Sequence, residues 1–180
     1  DEVADALGVR DEAAWNALLP DRPALRAELA CLSSLAGGPE VIARAVDGVD
    51  AIFHLAAVVS GGAEADFDLG YRVNLDGTRL LLEACRKLAK PPRVVFTSSV
   101  AAFGGTLPEV LDDSTTPTPQ TSYGTQKVIG EYLIADYTRK GMIDGRSLRL
   151  PTIVVRPGKP NAAASSFASG IIREPLAGVV

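Results

Sequence analysis

The chain has 180 residues, of which 47% are hydrophobic and 22% charged, with a net charge of −4. These are ordinary globular values with room for a sizeable core, so disorder is excluded as the default, and the negative balance argues against nucleic acid or an anionic membrane as a partner. Two cysteines and one histidine leave no disulfide framework, zinc site or Cys–His nucleophile.

No apolar run reaches the roughly 20 residues that a membrane-spanning helix needs. The acidic start, Asp1-Glu2-Val3-Ala4-Asp5, is not a signal peptide, so a cytoplasmic protein is the expectation. Asp1 to Leu19 is alanine-rich and reads as helical up to Pro20, with Trp15 as a packing residue. Ala24 to Leu32 fits strand or helix equally. Pro39 to Val46 reads as a short helix with proline in its first turn.

Asp50 to Val59 is a continuous apolar run of the kind found in a parallel strand covered on both faces. Its lone His54 reads as a packed residue rather than a catalyst. Ser60 to Gly70 reads as an acidic, glycine-bearing loop. Tyr71 to Ala89 has helical periodicity and stops before Pro91-Pro92, with Cys85 on its apolar face. Arg93 to Ser99 is the next buried strand. Ala101 to Ser122, broken by Gly104-Gly105, Pro108, Pro117 and Pro119, is long enough to be a site wall or lid. Tyr123 opens a helix that ends at Gly141, with Arg139 and Lys140 in its last turn. Arg146 to Leu150 is a short strand stopped by Pro151, and a helix from Ser165 or Ser166 to Arg173 ends before Pro175.

Strands and helices alternating in this way predict an α/β fold, a Rossmann-like parallel sheet with flanking helices and right-handed crossovers. Ligands bind such sheets beyond the carboxyl ends of the strands, here Ala56-Ala57, Ser98-Ser99 and Leu150-Pro151-Thr152. The segment Tyr123-Gly124-Thr125-Gln126-Lys127 enters at that edge. Four residues apart on a helix, a phenol and an ammonium share a face. A nearby cation favours phenolate and would draw the tyrosine from about 10 towards neutrality, making Tyr123 an acid/base with Ser99 holding the reacting oxygen.

His54-Leu55-Ala56-Ala57, Asn74-Leu75-Asp76-Gly77-Thr78, Thr97-Ser98-Ser99 and Tyr123-x-x-x-Lys127, in that order, resemble the extended short-chain dehydrogenase/reductase family, alongside nucleotide-sugar epimerases and dehydratases. Phe67-Asp68-Leu69-Gly70-Tyr71, Arg149-Leu150-Pro151-Thr152 and Arg156-Pro157-Gly158-Lys159-Pro160-Asn161 bring it nearer to a branch that oxidises four-carbon sugar acids. The resemblance implies NAD as cofactor, Ser99, Tyr123 and Lys127 as catalytic residues, and a small sugar acid as substrate. Tyr123 would take the proton of the 2-hydroxyl as hydride leaves its carbon, and Lys127 would bind the nicotinamide ribose. Leu55, Ala56, Ala57, Asn74, Thr97 and Ser98 would line the cofactor path, with Leu150 and Ile153 near the nicotinamide. A homodimer is compatible with the family. Arg156 and Lys159, on a Pro/Gly-rich loop, are candidates for the substrate carboxylate, since a guanidinium pairs with a carboxylate through two hydrogen bonds.

The pattern breaks at the phosphate-binding turn: nothing before Ala51 reads as strand, Gly-x-x-Gly-x-x-Gly, helix. The expectation is therefore an internal fragment without the family's first two strands. Residues 1–23 would be a poorly assigned segment, 24–156 a partial dinucleotide-binding domain and 157–180 the start of a substrate region. The strand at Ala51 would form a sheet edge. The alternatives are redox-neutral turnover of a nucleotide sugar and a catalytically incompetent fragment.

Overall fold

A computed structural model describes residues 38–152, 154 and 166–178. The expectations for residues 1–23, for Trp15, for a strand within 24–32, and for Ile153, Arg156 and Lys159 lie outside them.

The elements begin with α1 (Gly38–Val46), β1 (Ala51–His54), α2 (Ser60–Ala65) and α3 (Phe67–Gly70). A π-helical segment, Tyr71–Asp76, runs directly into α4 (Gly77–Cys85). Then come β2 (Arg93–Ser99), a 3₁₀ turn (Val100–Ala102), α5 (Ser122–Arg139), β3 (Asp144–Leu150) and α6 (Ser166–Leu176). The three strands are parallel in the order β1-β2-β3, with Ile52, Val94 and Gly145 in register. Among the described residues β1 is an edge, as the sequence suggests.

One face of this sheet is closed. Ile42 and Val46 of α1, Leu81, Leu82 and Cys85 of α4, and Ile134 of α5 join Val94 and Phe96 of β2 in a single core. Phe96, 2% exposed, lies so close to α5 that a Cβ on Gly130 would come within 2.6 Å of its ring. Burial pushes the Cys85 thiol up to about 12, so it is an inert core group.

α5 matches its sequence signals. The Thr121 hydroxyl accepts from Gly124 N–H at 3.0 Å, and Gly141 takes the left-handed conformation (φ 71°) past its last turn.

Four expectations need correction. The apolar run from Asp50 to Val59 is a strand only as far as His54, because the Asn74 amide takes both Val58 backbone groups (2.8 and 2.9 Å) where a neighbouring strand would. The expected 60–70 loop is mostly helix. Asp66, which separates α2 from α3, accepts the Leu69 N–H at 2.9 Å and so caps the second of them. The helix read from Tyr71 to Ala89 ends at Cys85 and begins with the π turn. Finally, α6 passes Pro175 and ends at Leu176, one residue beyond it, so the proline interrupts the helix only in its last turn.

Candidate active site

The loop after β2 brings α5 back with its N-terminus at the carboxyl ends of the strands, the edge at which parallel sheets bind ligands. Glycine is required there. A Cβ on Gly124 would run into the Ala101 carbonyl oxygen, so the absence of a side chain lets α5 seat its first turn against the end of β2. Ser122 N–H in that turn donates to Glu64 Oε1 at 2.5 Å, which ties α2 to the same place.

Tyr123 and Lys127 lie on one face of α5, and Lys127 reaches the end of β2. Ser99 lies beside the Tyr123 phenol, and its Oγ accepts the Ala101 N–H at 3.1 Å. Lys127 is 3% exposed. Its Nζ donates to Thr97 O at 2.7 Å and sits 4.8 Å from the centre of the Phe96 ring and 5.6 Å from that of Tyr123. Burial draws the ammonium down to about 8.

The expected lowering of the tyrosine is not what the structure shows. Burial raises the Tyr123 phenol above its ordinary value, opposed by the Ser99 hydrogen bond. The physical reason is the direction of the cation: Lys127 is spent on a backbone carbonyl instead of on the phenol oxygen.

Behind these residues lies a buried polar chain. The Thr78 hydroxyl donates to Asn74 O at 2.7 Å. Its proton is thus used, so His54 Nε2, 2.8 Å away, must carry a hydrogen and donate to Thr78 Oγ1. Burial and the Lys127 charge hold His54 down at about 4, so the ring is neutral near pH 7. Asn74 Oδ1 accepts from Val58 N–H, and Asn74 Nδ2 donates to Val58 O and to Gln126 Oε1 (2.6 Å). That pairing orients the Gln126 amide, which leaves its buried Nε2 facing Gly70 with no hydrogen-bond partner. The Asn74 side chain is thereby committed to protein. It braces the chain after β1 against α5.

Leu55 and Leu150 are exposed and Ala56 and Ala57 half-buried at the strand ends, with Leu150 in register with Ser99. Thr97 contributes its carbonyl to Lys127, while its hydroxyl donates to His54 O at 3.0 Å. The Ser98 hydroxyl donates to Glu131 on α5.

Sequence reasoning missed Glu131 and Arg149. Arg149 Nε and Nη2 both donate to the Glu131 carboxylate (2.7–3.1 Å), and the guanidinium lies 4.8 Å from the centre of the Phe103 ring. The available signal was the spacing Tyr123, Lys127, Glu131, which puts all three on one stripe of a helix.

A fit to NAD can be tested on Lys127. An ammonium has three N–H donors, and among the described residues only Thr97 O takes one. The others suit ribose hydroxyls. The nicotinamide–ribose end therefore fits. No phosphate-binding turn lies among the described residues.

Residues 34–179 match the NAD dependent epimerase/dehydratase family. The D-erythronate dehydrogenase of Cupriavidus necator is 69% identical over 142 residues, 78% of this chain and 44% of that protein. That of Haemophilus influenzae is 62% identical over 129 residues, 72% of this chain and 41% of its own length. The crystal structure of the nucleoside-diphosphate-sugar epimerase from Agrobacterium tumefaciens, 58% identical, matches with a TM-score of 0.73 over 80% of this chain and 43% of its own. The chain spans less than half the length of each of these relatives. The chain belongs to the NAD dependent epimerase/dehydratase family, whose cofactor is NAD.

Proposed function

We propose that the protein from which this chain comes oxidises the 2-hydroxyl of a small sugar acid, D-erythronate or a close analogue, with NAD. The observation that carries the reading is the placement of Tyr123 and Lys127 on one face of α5 at the end of β2, where Lys127 holds Thr97 O two residues before Ser99. The naming of two relatives at 62–69% identity supports the substrate class. NAD supplies the hydride acceptor when bound.

Ser99 holds the substrate oxygen through its hydroxyl, and Tyr123 takes the proton from that oxygen. Lys127 holds the ribose and supplies positive charge beside the phenol. Leu55 and Leu150 offer apolar surface at the strand ends, and Arg156 and Lys159 are the proposed cations for the carboxylate. A cytoplasmic location goes with this reading.

The test is NADH formation from D-erythronate by the chain and by its Tyr123→Phe variant. Loss of about a thousandfold or more in kcat is expected with the fold intact. Retained activity in the variant would sink the assignment of Tyr123. Because burial raises the phenol, its base form grows with pH, so the oxidation rate of the active enzyme should climb through the neutral and mildly alkaline range. A second reading is favoured by the likeness to a nucleoside-diphosphate-sugar epimerase. Redox-neutral turnover of a nucleotide sugar, without net NADH, would establish it instead.

A further inference from the structure

We propose that Glu131 is a positioning residue: by holding the Ser98 hydroxyl and the Arg149 guanidinium together, its carboxylate fixes the end of β2 so that Ser99 meets Tyr123. The proposal rests on the function proposed above for the consequence in turnover, and on the structure alone for the geometry.

The stripe Tyr123, Lys127, Glu131 on α5 clasps three successive residues of β2. Lys127 takes the Thr97 carbonyl and Glu131 takes the Ser98 hydroxyl, and Tyr123 stands beside Ser99. Neighbouring side chains on a strand point to opposite faces. Pinning Ser98 beneath α5 therefore sets the rotation of the strand end, and with it the direction in which the Ser99 hydroxyl leaves the strand. The two Cα atoms are about 3.8 Å apart, and a hydrogen bond tolerates only a few tenths of an ångström, so a shift at Ser98 is felt at Ser99.

An ordinary surface ion pair would not do this. The Glu131 and Arg149 side chains are only 13% and 24% exposed, and the fork of two parallel contacts fixes orientation as well as distance. Arg149 sits on β3, in register with Ser98, and its cation covers Phe103 at the start of the long loop beside the site. One carboxylate thus joins α5, β2, β3 and that loop. The other carboxylate near the site, Glu64, holds the backbone of Ser122 and has no part in placing Ser99.

The test uses the full chain with tyrosine labelled at Cζ with carbon-13, whose shift reports the hydrogen bonding of the phenol at neutral pH. There are four tyrosines, and Tyr123→Phe assigns the relevant resonance. Ser99→Ala should move it, and Glu131→Gln and Ser98→Ala should move it in the same direction. Combining Glu131→Gln with Ser99→Ala should move it no further than Ser99→Ala alone. Gln keeps the size of Glu but sets an N–H₂ group against the Arg149 donors. A folded Glu131→Gln protein whose Tyr123 resonance stays in place overturns the proposal, as does a resonance indifferent to Ser99→Ala. Should Glu131→Gln fail to fold, Ser98→Ala decides in the same way, since it leaves the ion pair intact.

In the D-erythronate assay the expected signature of Glu131→Gln is a kcat lower by about tenfold with KM for NAD within about twofold. A loss of thermal stability with neither resonance nor kcat changed marks Glu131 as structural only and overturns the proposal. Absence of turnover in the unsubstituted chain refutes the functional reading by itself, and the resonance still decides on positioning.

Discussion

The two faces of the three-stranded sheet carry the same apolar alternation and end in different states. On one, Val94 and Phe96 are 0% and 2% exposed beneath α1, α4 and α5; on the other, Phe53 and Leu148 are 43% and 48% exposed. The register puts Phe53 beside Val95, and Leu148 beside Thr97, on the open side. Strands of a parallel sheet are normally covered on both faces, so residues of equal hydrophobicity here have unequal worth. The polar groups of the site go with the closed face. His54, Thr78, Asn74, Gln126 and Lys127 are all buried, and their hydrogen bonds come from helices on that side. Half of a sheet is enough to hold Ser99, Tyr123 and Lys127 in place.

The sharpest test of this difference is Phe96→Ala, which should cost about 4 kcal/mol in a urea titration, because Gly130 and His54 would be left facing a void. Next is acid stability. His54 is held at about 4 in the fold against 6.5 in an unfolded chain, so the unfolded state binds the proton first as pH falls. Its contribution is complete above pH 6.5 and is lost by about pH 4. The protein should lose about 3 kcal/mol more over that window than its His54→Gln variant.

Lys127 acts in the opposite sense. With its folded value near 8 against 10.5 unfolded, the fold carries the cost of a buried charge in full below pH 8, and that cost is relieved between pH 8 and 10.5. Lys127→Met should therefore stabilise the protein at pH 7 by about 2 kcal/mol after the lost bond to Thr97 O. Its advantage should shrink as pH rises through that window. An unchanged advantage at pH 10.5 would show that charge is not the cause. The smallest effect is expected on the open face, where Leu148→Ala should cost less than about 1 kcal/mol. A cost equal to that of Phe96→Ala would erase the contrast between the faces.

Much of this was legible in the residues. Thr121, Gly141 and the basic last turn delimit α5, and the apolar run ending at Ser99 gives β2. The spacing of Tyr123 and Lys127 places both at the sheet edge. What escaped has a common cause, side chains doing the work of backbone. Nothing local in Val58 shows that an amide sixteen residues on will replace a strand neighbour. Gly61-Gly62 hid α2, which is tied down through Glu64 to the distant Ser122. The bond between Glu131 and Arg149 joins a helix to a strand and has no signature in either. The raised Tyr123 was unreadable because it depends on where the Lys127 ammonium points, which Thr97 decides.

The π-helical segment Tyr71–Asp76 has a consequence of another kind. A turn closed by i→i+5 bonds is a single surplus residue absorbed without lengthening the loop around it. Restoring ordinary winding with every residue kept would rotate everything on one side of the segment by about 100° relative to the other. Asn74 lies inside the segment and Thr78 just beyond it, while the partners of their side chains are on β1, α5 and the chain after β1. With ordinary α winding through Tyr71–Asp76 the phase of the helix would change, and the side chains that bind the β1 end to α5 would no longer face it.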